Sequence, residues 1–215
     1  MFGLGAGAGV ALYAAGEIGA RVTGVTISQE QYDWARRRVF EAGLGERIDI
    51  RLSDYRELSG QFDRLVSIEM FEAVGKAYWS VYFQKVRDLL KPGGRAGLQI
   101  ITIADALFDE YDARTDFIQR YVFPGGALAS ETHLAELAGK HDLAWRATER
   151  LGQDYAETLK RWLTRFDGAA ARDGVLALAQ DESFQRLWRF YLAYCEAGFR
   201  TERTNVVQLA LERVA

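Results

Sequence analysis

Three groups of residues in this chain have types and spacings that could do chemistry. The opening stretch MFGLGAGAG places glycines at alternate positions, Gly3, Gly5, Gly7 and Gly9. A glycine-rich stretch that runs into a helix lets the backbone approach a ligand closely. Taken alone, the same stretch also reads as a flexible glycine–alanine N-terminus. The second group is GVTISQEQ, where Thr26, Ile27, Ser28 and Gln31 follow an apolar segment. Folds that bind a nicotinamide dinucleotide usually place an acid there to grip the ribose diol. Here the first acid is Glu30, which argues against an ordinary NAD site. The third group is carboxylates: Asp54 in LSDYREL, and Glu69 and Glu72 in SIEMFEAVG. Each follows a strand-like segment, and ligands of open parallel sheets bind at that edge. Asp54 could accept from an adenine amino group there, or it could simply cap a turn. Glu69 reads as a solvated first-turn carboxylate.

These residues need elements to position them. Residues 10–17 predict a short helix and 20–25 a strand. Ser28 and Gln31 have the spacing of a capping box, so a helix should run from there to about residue 41 and stop at Ala42-Gly43. IDIRL (48–52) alternates apolar and polar residues, as a strand with one buried face does, and FDRLVSI (62–68) is the next strand. Residues 78–90 have helical spacing, and KPGG (91–94) should end them in a turn. RAGLQIITI (95–103) is mostly apolar, as expected of an inner strand. The alternation predicts an α/β fold, a mostly parallel sheet with helices on both faces. After residue 103 the rhythm breaks. A mixed stretch with a turn at FPGG (123–126) leads to a strand over 143–151, helices over 154–166 and 182–198, and a closing strand over 205–213. The expectation is a single domain over residues 1–215, with a cofactor-binding half at 1–103 and a substrate lid with closing strands at 104–215.

Composition narrows the function. The net charge of −3 supplies no global basic field, so duplex nucleic acid is a poor partner, while a local basic patch for lipid headgroups stays open. The one cysteine, Cys195, cannot form an intrachain disulfide, which fits a reducing compartment. No apolar run reaches the roughly 18 residues of a membrane span. The N-terminus lacks the basic-then-apolar pattern of a secretory signal. The expectation is a cytoplasmic protein, with peripheral contact at the inner membrane face left open. His133 and His141 fall in an expected surface helix away from the motifs, and no metal site is predicted.

Together these pieces resemble the S-adenosylmethionine-dependent methyltransferases, above all the cyclopropane-fatty-acyl-phospholipid synthase and mycolic acid cyclopropane synthase family. The resemblance is carried by ARVTGVTISQEQ, LSDYREL, FDRLVSIEMFEAVG, YWSVYFQKVRDLLKPGGRAGLQIITI, DFIQRYVFPGGALAS, QDYAETLKRW, FYLAYCEAGFR and the terminal VVQLAL. It implies a Rossmann-like class I methyltransferase fold with a helical lid. It also implies transfer of a methyl(ene) group to the cis double bond of a phospholipid acyl chain, giving a cyclopropane or a methyl branch. By the same resemblance, Gly3, Gly5 and Gly7 would approach the amino-acid portion of S-adenosylmethionine. Thr26, Ile27, Ser28 and Gln31 would face its ribose and adenine side, and Asp54 and Tyr55 its adenine. Glu72 and Tyr155 match the family's active-site glutamate and tyrosine, which help to hold a bicarbonate ion. A carbocation on the acyl chain would need an apolar lining with π faces, for which Phe71, Tyr155, Trp162 and Tyr191 are candidates.

Three departures from the family pattern stand out. Ala73 follows Glu72 where the family commonly has histidine. Gln99 takes the place of a histidine in the fifth strand; it can donate a hydrogen bond to an anion but cannot titrate. Met1 and Phe2 stand where the first strand should end, so the chain is expected to be an N-terminally truncated form with that strand and the upstream helices largely missing. Two other readings accompany the leading one: a small-molecule methyltransferase on the same scaffold, and a catalytically incompetent fragment.

Overall fold

The computed structural model describes residues 2–4, 8–170 and 181–214, with side chains outside 2–4 and 170. The chain divides into two compact units. One comprises Met1–Ile100, Thr132–Glu149 and Gln208–Ala215; the other comprises Ile101–Glu131 and Arg150–Val207. Residues 132–149 and 208–215 therefore group with the cofactor-binding half rather than with the expected lid.

The first strand is present and is built from the opening residues themselves. β1 (Phe2–Leu4) pairs in parallel with β2 (Val22–Thr26) on one side and with β4 (Phe62–Ile68) on the other. Gly3, expected in the loop, is thus a strand residue in register with Gly24 and Val66. At three residues β1 is shorter than β2 at five and β4 at seven, so it pairs only the stretches Thr23–Val25 and Leu65–Ser67 of its neighbours.

Helix α1 (Ala8–Gly16) buries Ala8, Ala11, Ala14 and Ala15, a stripe of small side chains that lets it lie close to the sheet. In α2 (Gln29–Glu41), Ala35 and Val39 are buried one turn apart. Both helices share an apolar cluster with Val22 of β2 and with Ile48 and Ile50 of β3 (Ile48–Leu52). Burying each such Val or Ile contributes roughly 1.5–3 kcal/mol. Ser28 caps α2 by accepting from the Gln31 N–H at 3.2 Å. The reciprocal half of the expected box is absent, because the Gln31 side chain accepts from Thr26 instead.

Helix α3 (Trp79–Leu89) buries Tyr82, Phe83 and Val86 and gives way directly to β5 (Leu90–Ile103). The expected KPGG turn lies inside this strand's span. Leu90 pairs with Phe62 and Arg95 with Arg64, so the intervening residues form an irregularity against β4. Gly94 is required there, since a Cβ would stand 2.8 Å from the Lys91 carbonyl oxygen. Beyond β5 come two short helices, α4 (Phe108–Asp112) and α5 (Phe117–Tyr121), then α6 (Glu131–Lys140), β6 (Leu143–Arg150), α7 (Gly152–Ala170), α8 (Glu182–Arg200) and β7 (Thr204–Arg213). The seven strands are ordered β3-β2-β1-β4-β5-β7-β6. The order reverses between β1 and β4, the switch point at whose carboxyl edge an α/β sheet opens a ligand crevice.

Candidate cofactor cleft

A cleft of about 750 Å³ opens at that edge, in the first unit. Its lining comes from the start of α1 and from the segments that leave β2, β3 and β4. Val10, Ala11, Ile27, Ile50 and Ile68 give it apolar walls, and a few polar groups are set among them. This suits a nucleoside, whose base is flat and apolar on its faces and polar at its edges.

Thr26, Ile27, Gln31, Asp54 and Tyr55, which the resemblance assigns to the cofactor, all line the cleft. The Thr26 hydroxyl donates to Gln31 Oε1 at 2.8 Å and accepts from the Ser28 N–H at 3.1 Å. That leaves the amide NH2 of Gln31 as the end free to donate to a ligand. Ser28 itself is spent on capping α2 and does not line the cleft. Gly5 and Gly7 lie outside the described residues.

Asp54 is a turn cap that also stands at the cleft. It caps the single helical turn Tyr55–Glu57, accepting from the Arg56 N–H at 2.8 Å, and it lines the cleft. Arg56 also binds the carboxylate through its guanidinium, at 3.0 and 2.6 Å. Those bonds hold the Asp54 carboxyl below the usual carboxylate range, against the opposing pull of partial burial. Arg56 lies over the Tyr78 ring at 5.5 Å, and both side chains line the cleft. Neither was identified from the sequence; an arginine two residues after an N-cap aspartate was the signal that could have found the first.

Glu69 is solvent-exposed as expected, but its backbone setting differs from the expected helix turn. It is not in the first turn of a helix but follows β4, with a backbone φ of 48°. A left-handed backbone at a residue other than glycine costs on the order of 1 kcal/mol or more and draws attention to what the side chain does. Glu69 lines the cleft. Its Oε1 accepts from Gln99 Nε2 at 2.7 Å, and its N–H donates to the Gln99 carbonyl at 2.8 Å. The Gln99 Oε1 in turn accepts from Gln208 Nε2 at 2.8 Å.

Glu72 sits on the next helical turn, Phe71–Ala73, half-buried and with Oε2 shielded from solvent, and is not among the cleft-lining residues. Its neighbour Phe71 is fully buried in an aromatic cluster with Trp79, Tyr82 and Phe83. Tyr155 belongs to the second unit. There it is half-buried against the cluster of Ala156, Leu159, Leu192 and Val206, edge-on to Phe199 at 5.6 Å. Tyr191 packs on the same cluster, whereas Trp162 is about half exposed. Cys195 packs there too, and burial pushes its thiol up to about 12, as for a small apolar residue.

His141 is buried, not on a surface helix. It follows α6, with Nδ1 3.0 Å from Gln84 Oε1 and Nε2 2.8 Å from Ser80 Oγ. The amide oxygen can only accept, so Nδ1 carries the proton and Nε2 accepts from the serine. No group of three or more metal-ligating side chains occurs among the described residues. None of the described helices is long and apolar enough to cross a membrane.

Comparison with known proteins fits this geometry. The family model for mycolic acid cyclopropane synthetase matches residues 1–209. Tuberculostearic acid methyltransferase UfaA1 of Mycobacterium tuberculosis is 42% identical over 211 residues, which are 98% of this chain and 49% of that protein. Cyclopropane-fatty-acyl-phospholipid synthase of Escherichia coli is 35% identical over 206 residues, 95% of this chain and 50% of its own length. The chain thus spans about half the length of the curated relatives it matches. The crystal structure of mycolic acid cyclopropane synthase CmaA1 complexed with SAH and CTAB superposes with a TM-score of 0.87 at 25% identity. That match covers 99% of this chain and 78% of the other.

Proposed function

Because this chain belongs to the mycolic acid cyclopropane synthetase family, we propose that it transfers a methyl(ene) group from S-adenosylmethionine to the cis double bond of a phospholipid acyl chain. The product is a cyclopropane or methyl-branched lipid. The observation that supports this reading best is the cleft at the β1/β4 switch point, where Thr26, Gln31, Asp54 and Tyr55 converge among apolar walls.

S-adenosylmethionine, when bound, supplies an electrophilic methyl group on a sulfonium centre. The chain's own residues bind and orient it. Gln31, set by Thr26, donates to the ribose; Asp54 and Tyr55 take the adenine edge; the apolar walls keep water out. The approach to the amino-acid portion falls to the segment after β1, which holds Gly5 and Gly7. Glu72 and Tyr155 are the residues proposed to help hold an anion such as bicarbonate, to which a tyrosine hydroxyl can donate. Access to a phospholipid implies contact with a membrane face from the cytoplasm.

Two measurements test this. Calorimetry with S-adenosylhomocysteine should show binding to the cleft, and Gln31→Ala should weaken it by roughly tenfold, the loss of about one hydrogen bond to a bound ligand. Mass spectrometry of lipids from an expressing host should then show acyl chains heavier by CH2, or by CH4 for a saturated methyl branch. Cofactor binding without a lipid change would move the reading to a small-molecule substrate. Well-folded protein that binds no cofactor would end it.

A further inference from the structure

We propose that Glu69, held in place by Gln99 and Gln208, reads the charge on the cofactor's sulfur and so favours S-adenosylmethionine over S-adenosylhomocysteine. The inference rests on the cofactor reading above and adds a residue and a selectivity to it. Among the described residues three non-glycines have positive φ: Glu69, Asp142 and Glu202. Asp142 and Glu202 follow helices α6 and α8, where left-handed residues are ordinary helix endings. Glu69 follows a strand, so its backbone is bent for another reason. The bend puts its side chain on the cleft wall.

Position in the sheet says which part of the ligand it meets. The end of β2 and the segments after β2 and β3 carry Thr26, Gln31 and Asp54, the groups assigned to the adenosine. The sheet order β3-β2-β1-β4 then sends the methionine half toward β1 and β4, and Glu69 stands at the end of β4. Gln99 is a neutral amide that donates to the Glu69 carboxylate and so orients it. Gln208 fixes which way that amide points: its N–H2 donates to the Gln99 oxygen, which leaves the Gln99 nitrogen to face Glu69. On methyl transfer the sulfur keeps the bonding electron pair and becomes a neutral thioether. A carboxylate nearby therefore holds the reactant more tightly than the product. Gln99, matched to a histidine of the family, acts here as a positioning residue.

The test is calorimetric titration of the full chain with S-adenosylmethionine and, separately, S-adenosylhomocysteine. Glu69→Gln removes the charge at constant shape. Glu69→Gly also suits a φ of 48°, so the fold survives it. Both variants should lose on the order of tenfold in affinity for S-adenosylmethionine and much less for S-adenosylhomocysteine. Gln208→Leu, which removes the donor that fixes the Gln99 amide and adds no charge, should move the same ratio in the same direction by less. Unchanged ligand preference in both Glu69 variants, with the parent chain binding both ligands, overturns this inference alone. A parent chain that binds neither ligand overturns the cofactor reading and this inference with it.

Discussion

The cleft of the first unit and the helical pair of the second are built on different principles. In the cleft, side chains are placed by strand ends. β2, β3 and β4 stop at one edge, and residues at and beyond each stop, with the start of α1, become the wall. In the second unit α7 and α8 bury Ala156, Leu159, Leu192 and Phe199, and aromatic rings run along both faces of α8: Phe184, Trp188 and Tyr191 on one, Phe190 and Tyr194 on the other. Backbone geometry decides position in the first case, and packing between helices decides it in the second. A site made by strand ends tolerates changes in its side chains without losing its shape; a helical pair has no such frame.

The largest effect that separates the two regions should come from the aromatic cluster around Phe71 in the first unit. Phe71 is 1% exposed, with ring centroids 5.5 Å from Trp79, 5.1 Å from Tyr82 and 5.6 Å from Phe83. Phe71→Ala should cost about 3–5 kcal/mol of stability, measured by urea unfolding, through lost burial and the cavity left behind. A cost under about 1 kcal/mol would mean the cluster collapses around the gap, and that this part of the first unit is softer than the strand frame suggests.

How far each region was legible in the sequence follows the same division. Ser28 as cap, Ile48–Leu52 as strand and Asp54 at the cleft were readable because period, cap and turn chemistry act over a few residues. Glu69 was misread because its orienting partner Gln99 is 30 positions away. His141 was misread because its partners Gln84 and Ser80 are 57 and 61 positions away. The short first strand was hidden for a different reason: Gly3 has no side chain to show alternation, so strand and glycine loop look the same in sequence. The helices α7 and α8 were visible from periodicity, but nothing in the pattern separates an aromatic that packs from one that would line a substrate path.

A middle-sized effect tests the cleft wall itself. Asp54→Ala removes both the turn cap and the pair with Arg56, and should cost about 1 kcal/mol. The native state holds this carboxyl lowered, chiefly through Arg56, so its contribution is complete above the ordinary aspartate value of 3.8 and is lost as pH falls through the native value below it. Acid unfolding should therefore be less steep in Asp54→Asn than in the parent chain. An unchanged acid limb would show that the Asp54–Arg56 pair persists in the unfolded chain.

His141 gives a smaller effect of the same sign at a higher pH. Burial lowers its proton affinity, as do Lys140 and Arg87, against Asp142 and Asp88, which raise it. The unfolded chain then binds the extra proton first. Stability should be complete above the ordinary histidine value of 6.5 and should fall as pH drops below it. His141→Gln, which keeps a donor and an acceptor for Gln84 and Ser80, should flatten that dependence in thermal melts. A variant with the parent's full slope would assign the titration to another group.

The smallest expected effect on stability lies in the second unit and is the most informative about it. Trp162 is 49% exposed on α7, one turn from Leu159, which is buried. Packing requires little of a side chain so placed, and Trp162→Ala should change stability by no more than about 0.5 kcal/mol. If the ring serves the acyl chain, the same variant should cut the yield of modified lipid in an expressing host while its melting curve stays with the parent's. If lipid yield and melting both stay unchanged, Trp162 lines nothing and the substrate path must be sought among the inward-packed rings such as Tyr155 and Tyr191. A large loss of stability would instead show that α7 leans on this ring more than its exposure indicates, and that even the outer face of the helical pair is set by packing.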